Sequence, residues 1–398
     1  MVRESLESTV VGIAVLLGFY AYVLYPALLF AVGGLSRRRP ARGGDPPVPP
    51  ITITLTAFNE AGSLGGTLDA LLAVDYPRQL VQILVISDAS DDGTDDIVRG
   101  YADRGVELLR LSRRMGKTAA ENEALPYLRG DLVVNTDAAV RVHPAAVRAL
   151  VAALADPTVG IASGRDVSIA SAPDESNRGE SAYVGYEMWV RELETRAGGI
   201  VGASGCLFAI RRDLHEVRIP PDSFRDFAAP CIAHEQGFRA VSVRDAVCYV
   251  PRTASLRAEY RRKVRTVARG LSTLWRQRAR LSPLRGGFGW KLFSHKFCRW
   301  LLPWAALPAL VVLLLADEPW VRSFTASAVA AAGASVAVSL HWPSNRVQPA
   351  WLAVMAAATI ANVAVLHASL KVLLGDRTAI WEPTRRRVRD HLDMTAGV

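Results

Sequence analysis

Apolar residues are spread unevenly along this chain, and their spacing changes from one stretch to the next. From residue 8 to residue 35 no charge interrupts them, a run long enough to cross a bilayer with some tilt. It lacks the short apolar core and small-residue cleavage site of a secretory signal, so it reads as a retained anchor. Three further apolar stretches, 300–316, 323–340 and 349–370, lie toward the other end. Between these hydrophobic ends strand-like and helix-like segments alternate. "ITITLTAF" (51–58) is a β-branched strand and "EAGSLGGTLDALLAV" (60–74) has helical spacing. "VQILVISD" (81–88) predicts a second strand, and "DDGTDDIVRGYADRG" (91–105) a helix start and helix. "VELLRL" (106–111), "GKTAAENEALPYL" (116–128) and "DLVVNTD" (131–137) continue as strand, helix, strand. Strands alternating with helices of this length predict βαβ units and a parallel sheet.

From 164 to 250 the pattern is less regular. "SNRGESAYVGYEMWVRELETRAG" (176–198) sets Tyr183, Glu187, Arg191 and Glu194 three or four residues apart. That is the spacing of side-chain pairs along one helix face, and it implies no catalytic role by itself. "GASGCLFAIRRDL" (202–214) is glycine-rich and then strand-like. The stretch 252–281 is a basic helix with Leu256, Tyr260, Val264, Val267 and Leu271 on one face, a pattern suited to a membrane surface.

Composition sharpens this plan. The net charge over 398 residues is +9, and half of all residues are hydrophobic. Basic clusters sit beside the apolar segments: "SRRRPAR" (36–42) after the first, and Arg257, Arg261, Arg262, Lys263, Arg265 and Arg269 before the others. The positive-inside rule then places the intervening residues in the cytoplasm. Basic clusters at membrane boundaries suit anionic lipid headgroups, whereas nucleic acid calls for a basic face with stacking aromatics, so no nucleic-acid partner is expected. The four cysteines form no CxxC pair and no zinc spacing, as expected of reduced cytosolic thiols. The organisation predicted is an anchor 1–36, a basic, Pro-rich linker 37–50, a cytoplasmic α/β domain 51–255, basic amphipathic interface helices 256–299, an apolar region 300–375 and a basic tail 376–398. Three full crossings after the cytoplasmic domain would leave "WEPTRRRVR" (381–389) outside. Two crossings plus a re-entrant or interfacial segment keep it inside and are the arrangement preferred.

Candidate chemistry gathers at the ends of the predicted strands, where open α/β sheets bind ligands. "TAFNE" (56–60), "ISDASDDGT" (86–94) and "NTDAA" (135–139) end strands one, two and four, and "RRMGKTAAEN" (113–122) opens a helix. No glycine-rich dinucleotide fingerprint follows the first strand, and "GKT" (116–118) lacks the upstream glycine of a phosphate loop. Asp91, Asp92, Asp95 and Asp96 read as a capped, solvated helix start.

"TAFNE", "ISDASDDGT", "RMGKTAAENEAL", "NTDAAVRVHPAAV", "GASGCLFAIRRDL" and "SFRDFAAP" occur in the order in which they resemble the motifs of membrane-bound family 2 glycosyltransferases. "SHKFCRWLLP" (294–303) and "WEPTRR" (381–386) are also similar to members of that family. The resemblance implies an α/β fold of GT-A (Rossmann-like) type for a nucleotide-sugar domain, with one N-terminal and two to three C-terminal membrane helices. It implies an inverting transfer from a nucleotide-sugar donor, a UDP-sugar by preference, to a glycan or lipid-linked acceptor at the cytoplasmic face of the bilayer. By resemblance, Asn59 and Glu60 lie near the nucleotide, Glu60 accepting from ribose hydroxyls. Asp88 accepts a base N–H, and Lys117 faces the nucleotide or its diphosphate. Asp137 is a ligand to metal or donor, Gly205 and Cys206 line the acceptor side, and Asp226 is the catalytic base.

The chain departs from the family pattern at three places. Arg225 stands where an acidic residue usually precedes the base. Ala139 replaces the second carboxylate of the usual pair, leaving Asp137 alone. A divalent cation (Mg or Mn) can bind through one carboxylate with phosphate oxygens and waters, or basic side chains can supply the charge, Arg262 and Arg265 being the candidates. The Gln-x-x-Arg-Trp sequence of processive synthases is represented only by "YRRKVRT" (260–266), which leaves one transfer or many open. A non-catalytic nucleotide- or glycan-binding scaffold of the same fold is the competing reading. The sequence carries no sign of the oligomeric state.

Overall fold

The computed structural model describes residues 2–35, 48–169, 178–251, 255–284, 286–343 and 346–375. Among these the chain divides into two compact units: a helical one (2–35, 178–183 and 255–375) and a globular one (48–169 and 184–251).

The globular unit holds a sheet of eight strands: β1 (Ile51–Ala57), β2 (Val81–Ser87), β3 (Val106–Arg110), β4 (Leu132–Asp137), β5 (Arg141–Val142), β6 (Val159–Ile169), β7 (Leu207–Arg211) and β8 (Arg239–Pro251). Their order is β3-β2-β1-β4-β7-β6-β8-β5. The first four strands pair in parallel, as the alternating pattern predicts. The rest corrects the expectation of a parallel sheet: β7 runs antiparallel to both β4 and β6, so the sheet is mixed.

In β1 the alternation sorts two faces. Ile51, Ile53, Leu55 and Ala57 join a core with Ile83, Val85 and Val134 on one side. The intervening threonines are buried, and the hydroxyls of Thr52 and Thr54 donate to Gln82 Oε1 (2.7 Å) and Asn135 Oδ1 (3.1 Å). These bonds offset the desolvation that a buried hydroxyl otherwise suffers. The opposite face is closed by a second core, including Leu84, Ile86, Val133, Phe208 and Ile210. Gly130 lies where a Cβ would come 2.3 Å from the Thr52 nitrogen, so only glycine lets the chain enter β4 so close beneath β1.

After β1 the chain builds outward through β2 and β3, then returns to place β4 on the other side of β1. This reversal opens a crevice at the carboxyl ends of β1 and β4, the usual ligand position in open α/β sheets. Thr56 is in register with Asp137 there.

Among the described residues, the helical unit contains four helices long and apolar enough to cross a bilayer: Ser5–Gly34, Gly287–Leu314, Pro319–Leu340 and Ala350–Leu373. The last corresponds to the apolar stretch expected to re-enter or lie flat. It is one uninterrupted helix of 24 residues, about 36 Å at the standard rise, and so is long enough to cross. The closing basic tail, including "WEPTRR", and the basic cluster 36–42 lie outside the described residues. The N-terminal span carries a single π-turn at Tyr20–Leu24. From it the Tyr20 hydroxyl bonds Ser294 (2.6 Å) and accepts from the Trp290 indole (3.1 Å). The amphipathic helix Leu256–Arg276 is capped by the Ser255 hydroxyl, which accepts from Ala258 N. It packs Val264 against Ala364 and Ala368 of the last span.

Candidate active site

The loops after β1 and β2 are tied to each other. The Asn59 side-chain amide donates to Asp91 Oδ1 (2.8 Å) and its oxygen accepts from Asp91 N (3.0 Å), while Glu60 N donates to the Thr94 hydroxyl (2.9 Å). Asn59 and Ala89 both have positive φ, 53° and 59°. Such left-handed conformations are sparsely populated by non-glycine residues and cluster at functional loops. Asp92 caps the following helix through Thr94 N (3.0 Å) and also accepts from Ala61 N (3.1 Å). Asp95 departs from the solvated helix start expected of it: it is buried and ion-paired with Arg110. The Glu60 carboxylate accepts from the Ser63 hydroxyl (2.7 Å), inside its own helix start.

Asp88 is 2% exposed. Its two oxygens accept the backbone N–H groups of Met115 (2.7 Å) and Gly116 (2.8 Å), and its own N–H donates to Ala57 O (2.8 Å). It therefore joins the ends of β1 and β2 to the turn before the helix Lys117–Glu123. Each carboxylate oxygen keeps a further lone pair for a ligand donor.

That turn delivers Lys117 to the end of β4. Its Nζ stands 2.5 Å from Asp137 Oδ1, with the side chains 22% and 35% exposed. Burial opposes the ammonium charge, but Asp137 and then Glu121 outweigh it and raise the Lys117 pKa, so the lysine is held charged. The described partner of Asp137 is thus a lysine, where the family pattern has a second acid at the position of Ala139. Ala138 and Ala139 are buried. Among the described residues no group of three or more His, Cys, Asp or Glu side chains could enclose a metal ion. Asp137 therefore fits a cation only as a single protein ligand, beside the Lys117 ammonium.

Asp226 lies in the first turn of the helix Arg225–Glu235. Burial raises its pKa; Lys117 and Arg191 pull it down, and Asp137 and Glu121 push it up. Gly205 is the residue against it: a Cβ there would lie 2.7 Å from Asp226 Oδ2. The backbone oxygen of Asp226 accepts from Ala203 N (2.9 Å), and Cys206 O accepts from the Thr136 hydroxyl (2.9 Å). The 203–206 loop is thus pinned between the helix bearing Asp226 and the strand bearing Asp137.

Arg225, which breaks the expected acidic pattern, is buried. Its Nε donates to Glu121 (3.0 Å), Nη1 to His215 O (3.0 Å) and Nη2 to Asn122 (2.8 Å), with Arg225 and Glu121 3% and 4% exposed. This fully bonded buried pair locks the start of the Asp226 helix to the Lys117 helix.

The structure thus brings Lys117, Asp137, Gly205, Cys206 and Asp226 into one electrostatic neighbourhood, with Asn59, Glu60 and Asp88 at the adjoining strand ends. Arg262 and Arg265 belong to the helical unit. There Arg262 donates twice to buried Glu259, Nε to Oε2 and Nη2 to Oε1 (both 2.8 Å), and Lys263 reaches Glu259 at 3.2 Å. Burial opposes the Glu259 charge, but these two cations hold its pKa well below the usual carboxylate range. Two residues escaped the sequence reading. Asp166 in β6 accepts from the Ser204 hydroxyl (2.5 Å) and, like Asp226, has its pKa raised by burial. Arg191, whose spacing implies only side-chain pairing along a helix face, is buried. Neither carried a sequence signal beyond a polar residue in a strand and an i,i+4 spacing.

Residues 52–218 match the model of the glycosyl transferase family 2 domain. An N-acetylglucosaminyltransferase of Bradyrhizobium diazoefficiens is 26% identical over 336 residues, which cover 75% of this chain and 67% of that protein. A beta-monoglucosyldiacylglycerol synthase of Synechocystis is 27% identical over 158 residues, covering 39% and 33%. The alignment to that second relative therefore spans only a third of its length. Among solved structures, the mannosyltransferase PcManGT from Pyrobaculum calidifontis, in complex with GDP-Man and Mn2+, superposes with a TM-score of 0.67 at 25% identity, covering 92% of this chain and 99% of that one. Through residues 52–218 the globular unit carries a glycosyl transferase family 2 domain, and its fold has a GT-A architecture.

Proposed function

We propose that this chain is a membrane-integrated, inverting glycosyltransferase whose globular unit works at the cytoplasmic face. It moves a sugar from a nucleoside-diphosphate donor to a glycan or lipid-linked acceptor. The observation that carries the reading is the Lys117–Asp137 pair at the β1/β4 reversal, with the Asp226 carboxylate against Gly205 within its electrostatic reach. In this reading Asp226 takes the proton of the acceptor hydroxyl as its oxygen attacks the anomeric carbon. The bond from that carbon to the diphosphate breaks on the opposite face, and the nucleoside diphosphate leaves. Charged Lys117 meets the charge that develops on the leaving diphosphate. Asp137 would be the one protein ligand of a divalent cation, which would screen the same diphosphate. Asn59 and Glu60 lie toward the nucleoside, and Gly205 and Cys206 toward the acceptor. Asp88 acts by fixing the turn that carries Lys117, and its spare lone pairs accept the base N–H.

The four apolar helices and the exposed bulky side chains on them, such as Phe30, Trp320, Phe324 and Trp351, support membrane integration. A screen of UDP-sugars and GDP-mannose by nucleotide release, in nanodiscs with and without EDTA, tests the activity. GDP-mannose is the donor bound in PcManGT, and UDP-sugars are the donors that the sequence resemblance implies. Transfer by the native chain that disappears in Asp226→Asn, with donor affinity retained, is the expected result. Donor binding without turnover by the native chain would instead favour a binding protein of the same fold.

A further inference from the structure

Glu187, Arg191 and Glu194 share one face of the helix Arg178–Arg196, and that face is buried: the three residues are 8%, 8% and 0% exposed. It abuts the chain leading into the 203–206 loop, since Glu194 Oε2 accepts from Val201 N (3.4 Å) and Glu194 O from Gly199 N (2.8 Å). Two carboxylates flank that loop. Asp166 Oδ1 accepts from the Ser204 hydroxyl (2.5 Å) and from the Cys248 thiol (3.4 Å), while Asp226 holds Ala203 N through its backbone and lies against Gly205 through its side chain.

The Arg191 guanidinium is nine-tenths buried, and its ion pair with Glu187 is long, 3.7 Å. Its Nε and Nη1 make no hydrogen bond among the described residues. Buried donors without a partner are unfavourable, so the long pair with Glu187 does not by itself account for this guanidinium. Here the charge is felt by both loop-flanking acids: burial raises the pKa values of Asp166 and Asp226, and Arg191 opposes the rise in each. The other charged groups acting on Asp226 are Lys117 and Glu121 from the neighbouring helix and Asp137 from β4.

We propose that Arg191 is a positioning residue for the transfer step, a fixed buried counter-charge to Asp166 and Asp226 that keeps the 203–206 loop and the Asp226 carboxylate set for the acceptor hydroxyl. The inference rests on Asp226 being the base. A mere helix brace would need only the pair with Glu187, whereas the charge of this guanidinium also acts on Asp166 and Asp226, the two acids that flank the loop.

The test follows the Asp226 carboxyl by infrared titration of the full chain in nanodiscs, assigned with Asp226→Asn, beside transfer kinetics. In Arg191→Gln the midpoint moves up by about one pH unit, a roughly tenfold change in proton affinity, and kcat falls about a hundredfold with donor affinity kept. Arg191→Lys keeps the charge but not the planar fork, so the midpoint stays while kcat falls about tenfold. An unmoved midpoint in a folded Arg191→Gln protein overturns the proposal. Should Arg191→Gln not fold, native rates in Arg191→Lys overturn it equally. A native chain that turns over no donor instead sinks the transferase reading, and the base role with it. That outcome is distinct, because failure of the inference alone leaves the native chain active.

Discussion

Gly205→Ala separates geometry at the acceptor side from stability. The added Cβ would lie 2.7 Å from Asp226 Oδ2 and 3.6 Å from its Cγ. An ordinary carbon–oxygen contact is about 3.4 Å, so the carboxylate oxygen must move by roughly 0.7 Å. The backbone tolerates the change, since Gly205 is not among the positive-φ glycines. Loss of chain freedom in the unfolded state then stabilises by about 0.4–1 kcal/mol, against about 1 kcal/mol for a modest overpacking that a side-chain rotation relieves. The two nearly cancel. Catalysis has no such compensation: a reacting group misplaced by about 1 Å can lose on the order of a hundredfold, so a shift of this size predicts a kcat ten- to a hundredfold lower. Initial rates against acceptor concentration, donor affinity by calorimetry and a melting curve give the three numbers. Gly185→Ala, where a Cβ meets nothing within 4 Å, serves as the control. A Gly205→Ala enzyme with native kcat, while Asp226→Asn is inactive, would show that the carboxylate position observed here is not the one catalysis uses.

Because burial raises the Asp226 pKa and the base must be ionised, kcat/KM should climb with pH through a value above that of an ordinary aspartate. By the same sign, any stability this carboxyl adds is present at low pH and lost as pH rises through its folded pKa; a pH–rate profile and melting curves across the same range check both. Arg225→Ala removes one partner of a buried, fully bonded pair and should destabilise the chain by about 3–5 kcal/mol, read by thermal unfolding; a change below about 1 kcal/mol would contradict the clamp. EDTA should reduce transfer without abolishing it, because Lys117 already answers Asp137. Ala139→Asp should deepen the dependence on metal, at a stability cost from placing a carboxylate at a buried position. An absolute, tight metal requirement in the native chain would show that a second ligand has been missed.

Much of this was legible along the chain because it depends on neighbours in sequence. The alternation in "ITITLTAF" and its three successors is a local property, so the parallel half of the sheet and the strand-end positions of Asn59, Asp88 and Asp137 followed from it. The apolar ends are equally local: a run of uncharged residues is long enough to cross a bilayer wherever it lies. The antiparallel turn of the sheet at β7 was not legible, because the direction of β7 is set by its pairing with β4, some 70 residues earlier, and no periodicity encodes a partner.

The same division runs through the site. Sequence alone marked Asp137 as a strand-end carboxylate lacking its partner at 139, and marked Lys117 as a lysine opening a helix. Only the fold sets the two 2.5 Å apart, by letting the Asp88 carboxylate grip the turn that carries Lys117. Arg225 looked like a defect in a motif, and its burial against Glu121 makes it the clamp that orients Asp226. Arg191 looked like one more i,i+4 pair, since spacing identifies a helix face without telling whether water or protein covers it. Sequence by itself determined which residues could carry charge and which segments form strands, helices and apolar spans, because those depend on side-chain chemistry and short-range sterics. Tertiary structure decided which charges are buried together, because desolvation and Coulomb energy depend on neighbours that the chain supplies from far away.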